Sequence, residues 1–277
     1  MVIKKKRVIV TGASGFIGRY LIPILLKNNY EVVAISRDST KCKTFDWYPY
    51  VNFYSIDISK EVKNLEIEPN TSLIHLAWDK LPNYDNLYHI EENFPNNYKF
   101  IKYLVSKGVN QVLVAGTCFE YGNQSGPIES STICNPNNAY GLAKHMLNKS
   151  IKCLRKEQNF CFQWARLFYM YGKGQNEKSL LSKLDKDIDN QKEFFNMTEG
   201  EQLRDYLKVE VVAQKLSKLF MAKKEGDFNI CSGKAISVRK LVEKRIKERN
   251  SNIQLKLGYY PYSDYESMAF WGINDIV

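Results

Sequence analysis

The stretch VTGASGFIGRYL, residues 10–21, decides the fold class of this chain. Its glycines Gly12, Gly15 and Gly18 follow a short apolar run and open a segment whose apolar residues have helical spacing. In a strand–turn–helix unit, the first glycine allows the tight turn. The second lets the backbone approach a pyrophosphate, and the third lets the helix pack closely on the sheet. The free N–H groups at the helix N-terminus then face the phosphates. The stretch therefore predicts a dinucleotide-binding unit, the alternative being a glycine-rich turn without a ligand.

The first half of the chain continues this alternation of strands and helices. Apolar, strand-like runs occupy residues 30–36, 51–57, 71–77 and 111–117, and helical patterns fill residues 16–29, 84–107 and 139–158. Strands separated by helices indicate a parallel sheet covered on both faces. Since such crossovers are right-handed, we predict an α/β fold with a Rossmann-like, doubly wound parallel sheet over residues 1–170.

The alternation loosens after about residue 170. Helical patterns remain at residues 179–188, 209–224 and 238–250, with a short strand-like run at 227–231 and a loop at 171–175. We predict that residues 171–277 form mainly a smaller C-terminal substrate-binding lobe, with some segments returning to the Rossmann core.

Composition narrows the classes of function. The chain has 277 residues, 44% of them hydrophobic and 25% charged, and no apolar run has the length of a membrane span. The N-terminus does not resemble a signal peptide, and the six cysteines never form Cys-x-x-Cys. These features predict a cytoplasmic protein with reduced, mostly buried thiols and no membrane partner.

Two further classes are disfavoured. The three histidines have no metal-ligand spacing among themselves or with the cysteines, so we expect no metal site. The formal net charge of +10 comes from basic residues scattered along the chain without a nucleic-acid motif. We expect a lysine-rich surface rather than a nucleic-acid partner.

The end of the second strand bears on the identity of the dinucleotide. An acidic residue there would bind the ribose hydroxyls of NAD, but the chain has Ser36 and Arg37. A serine and an arginine can bind a 2′-phosphate, so NADP(H) is favoured over NAD(H). Asp38, two residues past the strand end, weakens this preference. Asp57 is expected to meet the adenine edge, or alternatively to cap a helix.

Five motifs together resemble one family. TGASGFIG, SID, HLA, GTCFEYG and YGLAK, in this order, are similar to the extended short-chain dehydrogenase/reductases that act on nucleotide sugars, and the resemblance runs from about residue 7 to 270. It implies that Tyr140 is the general acid or base and that Thr117 hydrogen-bonds the substrate oxygen. Lys144, one helical turn after Tyr140, would lower the pKa of the phenol and hold the nicotinamide ribose. The alternative for Tyr140 and Lys144 is a solvated pair on a helix surface.

The resemblance also implies the binding residues. His75 is expected to be a structural hydrogen-bonding residue. The residues expected to bind the cofactor are Gly12, Ser14, Gly15, Phe16, Ile17, Gly18, Ser36, Arg37, Asp57, Ile58, Leu76, Ala77, Trp78, Asn93, Tyr140, Lys144 and Phe168.

The expected substrate contacts are Thr117, Cys118, Phe119, Tyr169 and Arg204. Arg204 would pair with the diphosphate of the sugar nucleotide, or alternatively form a surface ion pair with a neighbouring acid. Tyr169 replaces an asparagine that many family members carry.

Within the family, Cys118 and Phe119 stand where dehydratases have two carboxylates, so dehydration is not expected. The segments around HLAWDKLPNYDNLYHI, GTCFEYGNQSGPI and LGYYPYSDYESMAFWG resemble nucleotide-sugar 4-ketoreductases. That resemblance implies NADPH-dependent reduction of a 4-keto-6-deoxy sugar, for a deoxyhexose of a surface polysaccharide such as lipopolysaccharide O-antigen, by a homodimer. An NAD-dependent 4-epimerase and a non-catalytic NADP(H) sensor remain the alternatives.

Overall fold

A computed structural model describes residues 6–60, 65–262 and 267–274. The strands in these ranges are β1 (Lys6–Thr11), β2 (Tyr30–Ser36), β3 (Asn52–Ser55), β4 (Ser72–His75), β5 (Gln111–Thr117), β6 (Gly126–Ile128), β7 (Cys161–Leu167), β8 (Tyr169–Tyr171), β9 (Phe194–Asn196), β10 (Leu203–Arg204), β11 (Tyr206–Lys208), β12 (Gly226–Ile230), β13 (Ile236–Ser237), β14 (Gln254–Lys256) and β15 (Ala269–Gly272). Seven of them form a central sheet in the order β12-β7-β5-β4-β1-β2-β3.

All neighbours in this central sheet are parallel, and the strand order reverses direction beside β1, as in doubly wound folds. The helices are α1 (Gly18–Lys27), α2 (Ser39–Lys43), α3 (Phe94–Ser106), α4 (Ala139–Glu157), α5 (Leu180–Asp189), α6 (Val209–Ala222) and α7 (Val238–Glu248). The predicted Rossmann-like α/β fold is confirmed.

A separate apolar core covers each face of the sheet. On one face, Leu21 and Leu25 of α1 pack with Leu216 and Phe220 of α6. On the other face, side chains of α3 and α4 pack on the strands around Trp164. The four leucine and phenylalanine side chains of α1 and α6 and the Trp164 ring are fully buried, so each face buries its hydrophobic surface against helices.

The short strands build the smaller part of the molecule. β13, β10, β15 and β6 form one sheet, and β9 pairs with β14 beside α5 and α7. Leu184, Phe195 and Val242 are buried in the core of this part. β12 and α6 belong to the central sheet and its covering layer. The division between residues 170 and 171 stays a prediction.

Several predicted elements have different bounds in the structure. The helix expected over residues 84–107 begins only with a π-helical turn at His89–Asn93, followed by α3. β7 was missed, although it is a central strand. Its sequence CFQWARL includes the buried residues Gln163 and Arg166. Their burial is tolerated because Gln163 donates to a main-chain carbonyl oxygen of α6 and Arg166 donates to the carboxylate of Glu120. Within the described ranges, every helix is too short or too polar to span a bilayer.

Candidate active site

A cavity of about 660 Å³ opens at the carboxyl ends of the central strands. Open parallel sheets bind their ligands at this edge. The predicted site residues all line this cavity, with Arg204 as the exception. The fold therefore brings together segments that are distant in the chain, from the loop after β1 to β8.

The glycine loop leaves room for a phosphate group at one end of the cavity. Gly12 has φ +68°, a backbone conformation that favours glycine. The main-chain N–H of Gly15 donates to the carbonyl oxygen of Gly12 over 2.9 Å. A Cβ on Gly18 would lie 2.7 Å from the carbonyl oxygen of Ala13. α1 begins here without a side-chain cap among the described residues, which leaves N–H groups for an anion. The loop fits a dinucleotide pyrophosphate.

The end of β2 carries the residues expected at the adenosine ribose. The Ser36 hydroxyl is 2.6 Å from that of Ser14 and lines the cavity. The Arg37 guanidinium donates to both carboxylate oxygens of Asp79, over 2.9 and 3.2 Å. Asp57 accepts the hydroxyl and the N–H of Ser59, and these contacts hold the pKa of its carboxyl below the ordinary value. Asp79 was not predicted, although it directly follows HLAW.

His75 is a fully buried structural residue, as expected. Its Nε2–H donates to Asn97 Oδ1 over 2.6 Å, and its Nδ1 accepts from Thr11, whose hydroxyl accepts the N–H groups of Leu76 and Ala77. Burial lowers the pKa of His75 to about 3, with a smaller contribution from the charge of Lys144. The neutral imidazole therefore fixes the backbone that lines the cavity after β4.

Trp78 and Asn93 contact a second buried histidine. His89 donates from Nε2 to the carbonyl oxygen of Asn83, and its Nδ1 accepts from both Trp78 Nε1 and Asn93 Nδ2 over 3.1 Å. Asn93 also donates to the carbonyl oxygen of Asp79. These contacts order the wall of the cavity between β4 and α3.

Tyr140 lies at the start of α4, which is capped by Asn138. Its ring is 8% exposed and is surrounded by aromatic rings of Trp78, Tyr84 and Phe119 at centroid distances of 5.7 to 6.2 Å. The main-chain N–H of Tyr140 donates to the carbonyl oxygen of Tyr84 over 2.8 Å. Tyr84 also lines the cavity.

The predicted lowering of the Tyr140 pKa is wrong for this structure. Burial raises the pKa of the phenol well above its ordinary value of 10.0, and a hydrogen bond with Thr117 opposes the shift only in part. Lys144 instead donates to the carbonyl oxygen of Ala115 over 2.8 Å and lies 3.8 Å from the centre of the Trp78 ring. Burial lowers the pKa of Lys144 to about 7, so its charge is weakened as well. The pair is buried, which excludes a solvated helix pair.

Glu120 supports the loop that carries Thr117, and the sequence reasoning did not identify it. Its fully buried carboxylate accepts the N–H of Thr117 over 2.9 Å, and also the Trp164 indole and the Arg166 guanidinium. The Thr117 hydroxyl accepts the N–H of Phe119. These reciprocal bonds form a capping box around Cys118–Tyr121. A threonine followed three residues later by a glutamate is the sequence pattern of a capping box, and this pattern could have identified Glu120.

Arg204 lies outside the main cavity. It is buried, with 3% of its surface exposed, and lines a small adjoining pocket together with Cys118, Phe119 and Tyr169. Its guanidinium is 5.9 Å from the Tyr169 ring centre. Since Arg204 is buried, the alternative of an ion pair on the surface with a neighbouring acid, Asp205 or Glu201, is wrong. Asp205 is buried as well and accepts backbone N–H groups of residues 232 and 233.

One group of potential metal ligands was not expected from the sequence. Ligand atoms of Glu120, Cys134 and His145 lie within 4.8 Å of one another. Both oxygens of Glu120 already accept hydrogen bonds from Trp164, and one also pairs with Arg166, so its carboxylate is committed to buried donors.

Among the free cysteines, three are buried, including Cys118, two are half-buried and one is exposed.

The sequence matches the NAD dependent epimerase/dehydratase family over residues 8–231. It is 33% identical, over 96% of this chain and 98% of the relative, to dTDP-6-deoxy-L-talose 4-dehydrogenase (NAD(+)) of Aggregatibacter actinomycetemcomitans. It is 28% identical to dTDP-4-dehydro-6-deoxyglucose reductase of Escherichia coli, over 87% of this chain and 81% of the relative.

The fold is similar to that of UDP-N-acetylglucosamine 4-epimerase from Methanobrevibacter ruminantium, solved in complex with UDP-N-acetylmuramic acid. The TM-score is 0.82 at 21% identity, over 97% of this chain and 90% of that one. Together with the glycine loop and the tyrosine–lysine pair, the sequence matches show that the chain belongs to the NAD dependent epimerase/dehydratase family and is an NAD(P)-dependent oxidoreductase of the extended short-chain dehydrogenase/reductases.

Proposed function

We propose that this enzyme uses NADPH to reduce the 4-keto group of a nucleotide-activated 4-keto-6-deoxy sugar. The product would be a deoxyhexose nucleotide for a surface polysaccharide. Two relatives with 4-dehydrogenase and reductase names support this substrate class, since their matches cover more than four fifths of each sequence. The observation that carries the proposal is the position of Thr117, Tyr140 and Lys144 in the cavity that also contains the glycine loop.

Tyr140 lines the cavity and can serve as the proton donor that a reductase needs. A reductase needs a proton donor for the oxygen of the ketone, whereas an epimerase needs the same group as a base in its first step. Burial raises the pKa of Tyr140, so the phenol carries its proton at neutral pH. Tyr140 would donate that proton to the C4 oxygen.

Two other residues would orient the reactants. The Thr117 hydroxyl lies within hydrogen-bonding reach of Tyr140 and would donate a second hydrogen bond to the C4 oxygen. Lys144, at the floor of the cavity, would bind the ribose hydroxyls next to the nicotinamide. The bound cofactor supplies the hydride. The remaining predicted contacts, including those of Cys118, Phe119 and Tyr169, would hold the sugar.

The preference for NADP(H) rests on the end of β2. Ser36 offers a hydroxyl where a carboxylate would repel a 2′-phosphate, and Arg37 and Lys41 line the same end of the cavity. We further propose that the enzyme is a homodimer through α3 and α4. Leu142 of α4 is 39% exposed and the nearby Leu87 is 60% exposed, and a partner copy would cover both.

The test mixes the purified enzyme with NADPH and 4-keto-6-deoxy sugars carrying dTDP, CDP, GDP or UDP. We expect loss of the NADPH absorbance with one class of nucleotide, and transfer of deuterium from labelled NADPH to C4 of the product. Tyr140→Phe should lower turnover by about 10²- to 10⁴-fold, the usual contribution of a general acid.

Tyr50→Phe is the matched control, because it removes the same hydroxyl from an exposed tyrosine outside both the cavity and the proposed dimer helices. It should leave turnover unchanged. Reversible inversion at C4 with retained NAD and no net NADPH consumption would refute the reductase in favour of an epimerase. Tight binding of NADP(H) with no turnover of any sugar would favour a sensor.

A further inference from the structure

Arg37 spans part of the cofactor cavity to reach Asp79. Arg37 follows β2, Asp79 lies four residues after β4, and both line the cavity. Their two hydrogen bonds, of 2.9 and 3.2 Å, form a bidentate pair. Phosphate and carboxylate groups use the same planar fork of an arginine, so a 2′-phosphate and Asp79 need the same N–H groups.

Both partners of this pair are held by other contacts. The Ser55 hydroxyl donates to the carbonyl oxygen of Arg37. On the other side, Asn93 donates to the carbonyl oxygen of Asp79, and the N–H of Lys80 donates to its carboxylate. These contacts hold the main chain of both residues and orient the Asp79 carboxylate, while the Arg37 side chain is 61% exposed.

Three carboxylates, of Asp38, Asp57 and Asp79, and two cations, of Arg37 and Lys41, line this end of the cavity. Asp57 is a second carboxylate that acts on Arg37, and Asp38 stands next to it in the chain. Lys41 is the further cation on this side of the cavity wall. A 2′-phosphate would add about two negative charges to this group. It would gain the attraction of Arg37 but meet the repulsion of Asp79.

We propose that Asp79 sets the cofactor specificity by competing with the 2′-phosphate for Arg37. The inference rests on the proposed NADP(H) site. In that site Arg37 raises the affinity for NADPH and Asp79 lowers it. Asp79 lowers the affinity for NADPH, which carries the 2′-phosphate. It leaves the affinity for NADH nearly unchanged, because that dinucleotide does not need the guanidinium for a phosphate.

The test measures Kd for NADPH and NADH by calorimetry with the full chain freed of bound nucleotide, at one fixed salt concentration. No sugar is required. We expect Asp79→Asn to raise the ratio of Kd for NADH to Kd for NADPH by about three- to fivefold, the upper part of the range for an exposed ion pair. Glu157→Gln is the control, because it removes one charge from the exposed end of α4.

A double-mutant cycle tests whether Asp79 acts through Arg37. In an Arg37→Ala background, the same Asp79→Asn substitution should change the ratio by less than about twofold. An unchanged or lowered ratio in the single Asp79→Asn variant, or an equal rise in both backgrounds, overturns the proposal.

These outcomes are distinct from failure of the proposed reaction. A shifted ratio without sugar turnover supports the role of Asp79 and contradicts the ketoreductase. A wild-type protein that prefers NADH contradicts the proposed preference, but the ratio should still move toward NADPH in Asp79→Asn. If the wild-type protein binds neither dinucleotide, the role of Asp79 and the proposed reaction are both refuted.

Discussion

Replacing Glu120 by glutamine removes one negative charge from a fully buried position and keeps the size of the side chain. The wild-type carboxylate accepts hydrogen bonds from Thr117, Trp164 and Arg166 over 2.9 to 3.1 Å. A glutamine has one acceptor oxygen, and its NH₂ group can only donate. In either orientation of the amide, that NH₂ group faces at least one buried N–H donor.

The cost can be worked out from these contacts. Removing one partner of a buried ion pair costs about 3–5 kcal/mol. Arg166 is 3% exposed but also donates to Asp227 over 2.8 Å, which retains part of its pairing. We therefore expect the lower end of that range, a loss of about 3 kcal/mol in the free energy of unfolding. For a chain of this size, that loss corresponds to a fall in Tm of about 6–12 °C.

Urea unfolding followed by tryptophan fluorescence and circular dichroism measures this loss. Glu157→Gln provides the control, since a surface substitution should change stability by less than about 0.5 kcal/mol. Because Glu120 accepts the N–H of Thr117, turnover should also fall while Kd for NADPH stays constant. A loss below about 1 kcal/mol for Glu120→Gln would refute the reasoning, because the buried guanidinium would then not depend on this carboxylate.

The remaining predictions concern two buried titrating groups. His75 has a pKa of about 3 in the fold and about 6.5 when unfolded, so the unfolded chain binds the extra proton between these values. The contribution of neutral His75 to the free energy of unfolding is complete above pH 6.5 and is lost by about 1.4 kcal/mol per pH unit as the pH falls. In His75→Gln, the free energy of unfolding measured with urea should therefore depend less on pH between pH 4 and 6. Lys144→Met should abolish turnover yet raise stability at pH 6 by about 1–4 kcal/mol, since the pKa of about 7 shows that burial penalises the ammonium. That gain should shrink between pH 7 and 10.5, where the folded lysine becomes neutral before the unfolded one, and a gain independent of pH would contradict this reasoning.

The sequence predicted those parts of the fold where local signals agree. The glycine loop, the alternation of strands with helices and the bounds of β5 and α4 follow from short-range patterns. β7 was missed because its buried Gln163 and Arg166 interrupt the apolar pattern of a central strand. Gln163 is accommodated by an amide contact with Gln111 and by main-chain carbonyl groups of α6 and the residues after it. Such partners come from distant parts of the chain, so no local pattern reveals them.

The same distinction applies to the cavity. Motifs identified the segments that line it, because four of the five lie at the end of a strand and YGLAK lies at the start of α4. They did not identify Asp79 as the partner of Arg37, nor Glu120 as the support of Thr117. Each of these residues is significant only through a contact that the tertiary fold creates. The direction of the Tyr140 pKa was mispredicted because the spacing to Lys144 does not show that the fold buries the phenol among aromatic rings.

The burial of Tyr140 also bears on its acidity. Rings from three separate segments, Trp78, Tyr84 and Phe119, remove water from the phenol. Low polarity disfavours the phenolate, and the weakened charge of Lys144 gives little compensation. A phenol with its ordinary pKa near 10 already carries its proton at neutral pH, so the raised pKa makes Tyr140 a weaker acid and does not favour ketone reduction over alcohol oxidation. Opening the ring cluster, for example by Tyr84→Ala, should lower the pKa of Tyr140 and move the basic limb of the pH profile of turnover to lower pH.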